Sequence, residues 1–179
     1  YRTLLGEMMF AYVSCRPDIG YAVTLMSKYG SNPTAYHYSC LKNIARYLRT
    51  TRNWGIRYYR SDIDRSLEAG ETIDLKRDES LPSYPEYIKK GKLICFVDAA
   101  YGNDPKRRRS TTGYAFTYAG GAIVYRSNAQ SITAQSSTEA EFIAAVTAAK
   151  TAIYLRSVLD ELGFKQDEPT PIYEDNASA

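Results

Sequence analysis

The alanine-rich segment from Ser137 to about Leu162 restricts the fold more than any other part of the sequence. Starting at Glu141, positions spaced alternately by four and three residues form one stripe along a helix. All later members of this stripe are apolar: Ala145, Ala148, Ala152, Leu155, Leu159 and Leu162. Gly163 then supplies the residue type at which helices commonly end. The pattern predicts a long helix that buries one side against another layer and begins with an acid.

Apolar runs before and after this segment are typical of β-strands. Residues 93–97 form a continuous apolar run that ends at Asp98, as expected of a strand buried on both faces. The sequence Ala119-Gly120-Gly121 predicts a hairpin turn. Further strands are expected near Gly113 to Tyr118, Ala122 to Arg126 and Pro171 to Asp175. The order of strand, hairpin, long helix and strand predicts an α/β domain.

The first third of the chain predicts a small helical segment. Pro17 cannot continue a helix, and the Gly30 to Pro33 stretch provides a second stop. Three helices are therefore expected, over Arg2 to Ser14, from near Asp18 to Gly30, and from Thr34 as the cap to about Thr50. A short strand over Gly55 to Tyr59 should follow.

A change of composition divides the chain into three regions. Residues 61–91 mix acids and prolines without an apolar period, which is typical of a linker or an irregular insertion. We therefore predict a helical connection region over 1–60, a linker or insertion over 61–91, and an α/β domain over 92–179.

Basic residues are concentrated in two places. Residues 1–60 hold nine basic but only two acidic side chains, together with nine of the 17 tyrosines, and this composition suits a phosphate backbone with stacking partners. The third predicted helix offers Lys42, Arg46 and Arg49. A second cluster comprises Lys106, Arg107, Arg108 and Arg109. These residues are candidates for nucleic-acid binding, and the alternative is a solvated helix surface and an exposed turn.

The sequence also excludes several kinds of site. With His37 as the single histidine, a two-histidine metal site cannot form, and the three widely spaced cysteines indicate neither disulfides nor a zinc site. No apolar run approaches the roughly 18 to 20 residues that cross a bilayer. We therefore expect a soluble intracellular protein without a membrane partner, whose chemistry depends on carboxylates.

Three acids stand at the ends of predicted elements. Asp98 and Asp175 each end an apolar strand, at the sheet rim where ligands collect, and Glu141 heads the buried helix stripe. A carboxylate in that position is costly unless it is neutralised. Convergent oxygen ligands without histidine fit Mg²⁺ or Mn²⁺ better than zinc. Each acid alone has the alternative of a solvated turn residue, but together they predict a metal site.

The neighbouring Glu139 has a different explanation. Ser136-Ser137-Thr138-Glu139 matches the capping box, in which the fourth residue returns to the helix N-terminus. Two positions on a helix differ by about 200° of rotation, so Glu139 and Glu141 cannot point at one site. We expect Glu139 to remain a cap.

The segment Gln130 to Ala144, QSITAQSSTEAEFIA, resembles the signature of the ribonuclease H domain in copia-type LTR retrotransposon polyproteins. Residues 1–60 resemble the region that joins the reverse transcriptase to that domain. The matching flanks of the signature are Phe96-Val97-Asp98-Ala99, Asp104-Pro105, Arg108 to Tyr114 and Ile172 to Asn176. Together these similarities cover most of the chain outside 61–91.

This resemblance implies a fold, an activity and a set of partners. The fold would be a ribonuclease H-like mixed sheet with a long packed helix, preceded by a small helical segment. Asp98, Glu141 and Asp175 would hold two divalent ions, with Asp98 bridging them, for hydrolysis of the RNA strand of an RNA–DNA hybrid. The remaining partners would be the reverse transcriptase and integrase of the polyprotein. The location would be a cytoplasmic virus-like particle or the nucleus.

The sequence departs from the family in ways that affect activity. The family has a fourth metal-binding acid well beyond the Asp175-Asn176 pair, so we expect the domain over 92–179 to be C-terminally incomplete and weakly active or inactive alone. No Y-x-D-D motif occurs, which excludes DNA synthesis. Ala100 replaces an acid of many relatives without affecting the predicted ligands. The alternatives are a non-catalytic or co-opted binding module and, more distantly, another nuclease or transposase of the same fold.

Overall fold

The computed structural model describes residues 1–58, 91–104 and 107–175. Residues 61–90 of the predicted linker, Lys106 of the second basic cluster and the last four residues lie outside the described residues.

Helices occupy the first fifty residues of the chain. They are α1 (Arg2–Ser14), a 3₁₀ turn (Pro17–Ile19), α2 (Gly20–Ser27) and α3 (Ala35–Thr50). The predictions for α1 and α3 are confirmed, and the Thr34 side chain caps α3 by accepting from the His37 N–H. The second helix begins as the 3₁₀ turn because Pro17 occupies its first position.

The strand predicted over Gly55 to Tyr59 is wrong for residues 55–58, which have no regular structure, and Tyr59 is outside the described residues. Residues 55–58 contact the sheet through a side-chain hydrogen bond and not through backbone strand pairing. The Tyr58 hydroxyl donates to the Ala122 carbonyl oxygen at 2.7 Å.

Four strands form one mixed sheet in the order β3-β2-β1-β4. They are β1 (Ile94–Ala100), β2 (Thr111–Tyr118), β3 (Gly121–Ala129) and β4 (Ile172–Tyr173). The first three strands pair antiparallel, and β4 pairs parallel with β1. The predicted hairpin joins β2 to β3, and its two loop residues, Ala119 and Gly120, both have positive φ, which matches the twist of the flanking strands.

Two strand predictions need correction. From Cys95 onwards β1 is buried on one face only, because Cys95 and Val97 are buried whereas Phe96 is 44% exposed. β4 has two residues instead of the predicted five, because only Ile172 and Tyr173 are in register with β1, opposite Cys95 and Phe96. Asp175 therefore lies just beyond the end of β4.

The long helix α4 (Ser137–Glu161) packs on the sheet as predicted, but its buried face differs in detail. Ala145 is half-buried, and Leu162 is exposed just past the helix end. The buried apolar side chains are Ala140, Ala144, Ala148, Ala152, Leu155 and Leu159. Alanines in the first part of this face allow the helix backbone to approach the sheet closely.

By length and composition alone, α4 is long and apolar enough to cross a membrane. A core helix packed on a sheet meets the same criteria, and α4 packs on β1 and β2.

Hydrogen bonds from Arg156 fix the segment that follows α4. The Arg156 guanidinium donates to the carbonyl oxygens of Gln166 and Glu168 and to the Thr170 hydroxyl. Arg156 thus ties the chain leading into β4 to the helix itself.

The helical segment has its own core and docks on β3. Ile19, Val23 and Leu41 are fully buried in this core. The Tyr125 hydroxyl of β3 donates to the Tyr12 carbonyl oxygen at 2.9 Å, and the Tyr12 hydroxyl accepts from the Ser127 N–H at 3.2 Å. These contacts join the end of α1 to the edge strand.

Candidate metal centre

The structure brings the three predicted acids together at one edge of the sheet. β1 and β4 are parallel neighbours, so Asp98 near the end of β1 and Asp175 after β4 lie at the same edge. Glu141 comes from the first turns of α4. One carboxylate oxygen from each residue lies within 4.8 Å of the other two.

Hydrogen bonds between the sheet and the start of α4 position Glu141. The buried Gln130 side chain donates to the Thr112 hydroxyl at 3.1 Å and to the Ala140 carbonyl oxygen at 2.8 Å. The Tyr101 hydroxyl donates to the Gln135 carbonyl oxygen at 3.1 Å. These contacts are non-local, and Gln130 was not singled out from the sequence, although it is the first residue of the signature segment.

Glu141 is the buried member of the trio, with 6% of its surface exposed. Its Oε2 atom has no hydrogen-bond partner among the described residues. Burial raises the pKa of Glu141, the negative charges of Asp98, Glu174 and Asp175 raise it further, and a backbone hydrogen bond from Ala99 opposes the shift. A cation at this position would relieve both the desolvation and the repulsion.

Glu139 remains outside this site, as predicted. Its N–H donates to the Ser136 hydroxyl at 3.1 Å, and its carboxylate accepts from the Gln135 N–H at 2.6 Å. The carboxylate therefore caps the helix one residue earlier than the capping box pattern predicts.

The donor set fits a hard divalent cation. The three acids offer only oxygen atoms, which Mg²⁺ and Mn²⁺ prefer. Glu141 is buried, whereas Asp98 and Asp175 are exposed. An ion bound by all three acids would therefore contact the protein interior through Glu141 and remain accessible from solvent. Gly113 pairs with Asp98 across the strands and places no side chain beside it.

The arginines of the second basic cluster lie in the loop between β1 and β2. The loop is closed by a hydrogen bond from the Arg108 N–H to the Asp104 carbonyl oxygen at 2.8 Å and by another from the Arg107 N–H to the Asp104 carboxylate at 3.0 Å. Arg107 and Arg108 are exposed and Arg109 is half-buried. Because β1 runs through Asp98 into this loop, these arginines are at the same edge of the sheet as the acids.

The predicted basic residues of α3 are exposed along that helix. Arg46 donates to the Asn43 side chain at 2.7 Å, and the Lys42 ammonium lies 5.1 Å from the centre of the Tyr38 ring. Arg49 stands in the last turn of the helix. Their role in binding nucleic acid stays a prediction.

Architecture and site together define a mixed α/β protein with a carboxylate-only candidate metal centre. Comparison with known proteins shows which proteins the chain is related to. The chain is 36% identical over its whole length to the retrovirus-related Pol polyprotein from transposon TNT 1-94 of Nicotiana tabacum, and 31% identical over its whole length to the one from transposon RE1 of Arabidopsis thaliana. It spans only 11% and 10% of those polyproteins.

A third relative is matched over most of both chains. Secreted RxLR effector protein 161 of Plasmopara viticola is 31% identical over 155 residues, which cover 87% of this chain and 90% of that protein. The chain therefore belongs to one family with this protein and with the homologous segment of copia-type retrotransposon Pol polyproteins. No family model matches the chain, and no solved structure matches it.

Proposed function

We propose that the chain is the ribonuclease H module of a retrotransposon Pol polyprotein and hydrolyses the RNA strand of RNA–DNA hybrids. The observation that carries the proposal is the meeting of Asp98, Glu141 and Asp175, with a buried Glu141 oxygen that has no partner in the described part of the chain. The mixed sheet with a long packed helix, the signature at 130–144 and the homology to Pol segments support it.

Each acid would have a distinct task at this centre. Asp98 would hold the ions from the end of β1, Glu141 from the start of α4 and Asp175 from the segment after β4. The bound ions would polarise the scissile phosphate and stabilise the attacking and leaving oxygens. Asp98 and Asp175 are exposed, so the site is accessible to a substrate from solvent.

The direct test is cleavage of a labelled RNA strand in an RNA–DNA hybrid. We compare this chain alone with a chimera in which it replaces the homologous segment of the tobacco polyprotein. We expect the chimera to cleave with Mg²⁺ or Mn²⁺, not with EDTA, and to leave a matching DNA duplex intact. The chain alone should cleave weakly, because the family's further acid is outside residues 1–179. A chimera that binds the hybrid without cleaving it would contradict the proposal.

A non-catalytic or co-opted binding module is the second candidate function. The Plasmopara relative, which matches over nine-tenths of its length, is named a secreted effector and not a polyprotein. Binding of hybrid that does not depend on divalent ions, together with no cleavage by the chimera, would favour this function.

The basic residues provide a separate prediction about hybrid binding. Replacing Arg107, Arg108 and Arg109 by Gln should flatten the dependence of log affinity on log salt by about 0.9 for each phosphate that is no longer neutralised, the value for a B-form duplex. Fluorescence anisotropy at several salt concentrations measures this slope. Lys150→Gln, which removes an exposed cation from α4, is the control and should leave the slope unchanged. An unchanged slope in the triple variant would mean that the cluster is a solvated turn.

A further inference from the structure

Trp54 is the single tryptophan of the chain and lies on the surface, just beyond the end of α3. It is 60% exposed, although tryptophan is among the residues that are highly buried on average. Its ring contacts the Tyr47 ring nearly at right angles, with 6.4 Å between the ring centres and 87° between the planes. Tyr47 thus covers part of the Trp54 ring, and the remainder is open to solvent.

The turn that carries Trp54 is fixed by the buried Arg16. The Arg16 guanidinium donates to the carbonyl oxygen and the hydroxyl of Thr51, and the Trp54 backbone N–H donates to the same carbonyl oxygen at 3.0 Å. Arg16 also lies 5.5 Å from the centre of the Tyr47 ring. Because its backbone and its aromatic neighbour are both held, Trp54 loses little conformational freedom when a flat ligand stacks on it.

The residues around Trp54 carry positive charge without acids. Residues 19–58 contain six basic residues and no aspartate or glutamate. Arg46, Arg49 and Arg52 are exposed, and no ion pair in the described part of the chain includes them. The negative end of the helix dipole attracts Arg49, in the last turn of α3, but Arg52 lies beyond the helix. This charge is therefore available to an anionic partner.

The side chains of this surface distinguish between the kinds of anionic partner. A protein partner buries an apolar core, but every leucine and isoleucine between residues 35 and 57 is buried or half-buried, and this stretch has no valine or methionine. A nucleic-acid duplex keeps the faces of its bases inside its own stack, whereas an unpaired base offers its face to an aromatic ring. An exposed, fixed tryptophan among exposed arginines therefore fits a single strand best.

We propose that Trp54, Arg46, Arg49 and Arg52, which we call the Trp54 surface, bind single-stranded nucleic acid. One base stacks on the Trp54 ring, and the arginines contact phosphates of the neighbouring nucleotides. The Trp54 surface is separate from the metal centre, which is formed by β1, α4 and the segment after β4. The inference goes beyond the proposed function, because the substrate proposed for cleavage is a duplex and binding at the Trp54 surface does not depend on cleavage.

The test uses an oligothymidine of about 12 nucleotides, within the range of site sizes for single-strand binding. EDTA is present, so that the metal centre does not contribute. Binding should quench the fluorescence of Trp54, which reports on this site alone because it is the single tryptophan. Fluorescence anisotropy of the labelled strand gives the affinity. An abasic strand of the same length has the phosphates without the bases, and it should bind roughly tenfold more weakly and without quenching.

Variants of the Trp54 surface separate stacking from charge. Trp54→Ala should lower the affinity for oligothymidine by roughly tenfold or more, whereas Trp54→Phe retains a flat ring and should keep part of the affinity. Replacing Arg49 and Arg52 together by Gln should flatten the dependence of log affinity on log salt by about 0.7 for each phosphate that is no longer neutralised. The matched control is Tyr154→Ala, which removes an exposed aromatic ring from α4 and should bind like the parent.

Parental affinity of Trp54→Ala for oligothymidine would overturn the inference, and so would equal binding of the abasic strand by the parent chain. Tighter binding of poly-glutamate than of oligothymidine would show that the surface serves an acidic protein and would overturn the inference as well. None of these results bears on the proposed function, because hybrid cleavage depends on the metal centre. Binding of the strand as expected, together with failure of the cleavage assay, would contradict the proposed function alone.

Discussion

Replacing Asp98 by Asn is expected to abolish hybrid cleavage by the chimera, lowering the rate by roughly 1000-fold or more. Asp98 contributes a negatively charged carboxylate oxygen to the site. The amide of Asn has nearly the same shape but is neutral, so it attracts a divalent ion less strongly. Mn²⁺ affinity of the 179-residue chain should fall as well. Cleavage assays and calorimetry on the same preparations measure both effects.

The fold should survive this substitution. The Asp98 side chain is exposed, and its charge is the largest electrostatic contribution that raises the pKa of the neighbouring Glu141. Removing that charge should leave the metal-free melting temperature unchanged or raise it. Asp160→Asn, at an exposed position of α4, is the control and should retain activity. Full metal-dependent cleavage by the Asp98→Asn chimera would falsify the assignment of Asp98.

Arg16→Met is expected to cause the largest loss of stability, about 3 kcal/mol in the free energy of unfolding. Arg16 is only 7% exposed and donates to the Thr51 carbonyl oxygen at 3.1 Å, to the Thr51 hydroxyl at 2.6 Å and to both oxygens of Asp18. It also lies 5.5 Å from the centre of the Tyr47 ring. Methionine fills similar space but leaves these acceptors without a donor.

Urea denaturation followed by circular dichroism measures this loss. Arg2→Met is the matched control, because Arg2 makes one exposed hydrogen bond to the Gly30 carbonyl oxygen, and it should cost about 1 kcal/mol or less. The hydrogen bond from Arg16 lowers the pKa of Asp18, so the pair's contribution is complete at neutral pH and is lost only as the pH falls below the ordinary aspartate range. Equal losses in the two variants would show that the buried network contributes little.

The elements that could be predicted from the sequence are those with local signals. The Thr34 cap, the Pro17 break and the alanine stripe are each contained within a few turns, and α1, α3 and α4 follow them closely. The prediction of a strand at 55–58 is wrong because strand formation is not decided by local sequence alone. A strand needs a neighbour, and the Tyr58 contact to Ala122 replaces the backbone pairing that local composition suggested.

The residues of the candidate metal centre also fall into two groups, those with a local sequence signal and those without one. The three acids could be found because strand ends and a helix stripe indicate where a side chain will lie. Gln130 could not, because its importance depends on partners distant in sequence, Thr112 and Ala140.

The small side chains on the buried face of α4 determine how far Glu141 lies from the acids of the sheet. Glu141 belongs to the helix, and the Arg156 contacts tie the segment that leads to Asp175 to the same helix. With side chains this small, the helix backbone lies close to β1. A bulkier residue on this face would push α4 away from the sheet and move Glu141 relative to Asp98 and Asp175, so the spacing between carboxylates depends on packing as far as about five turns away.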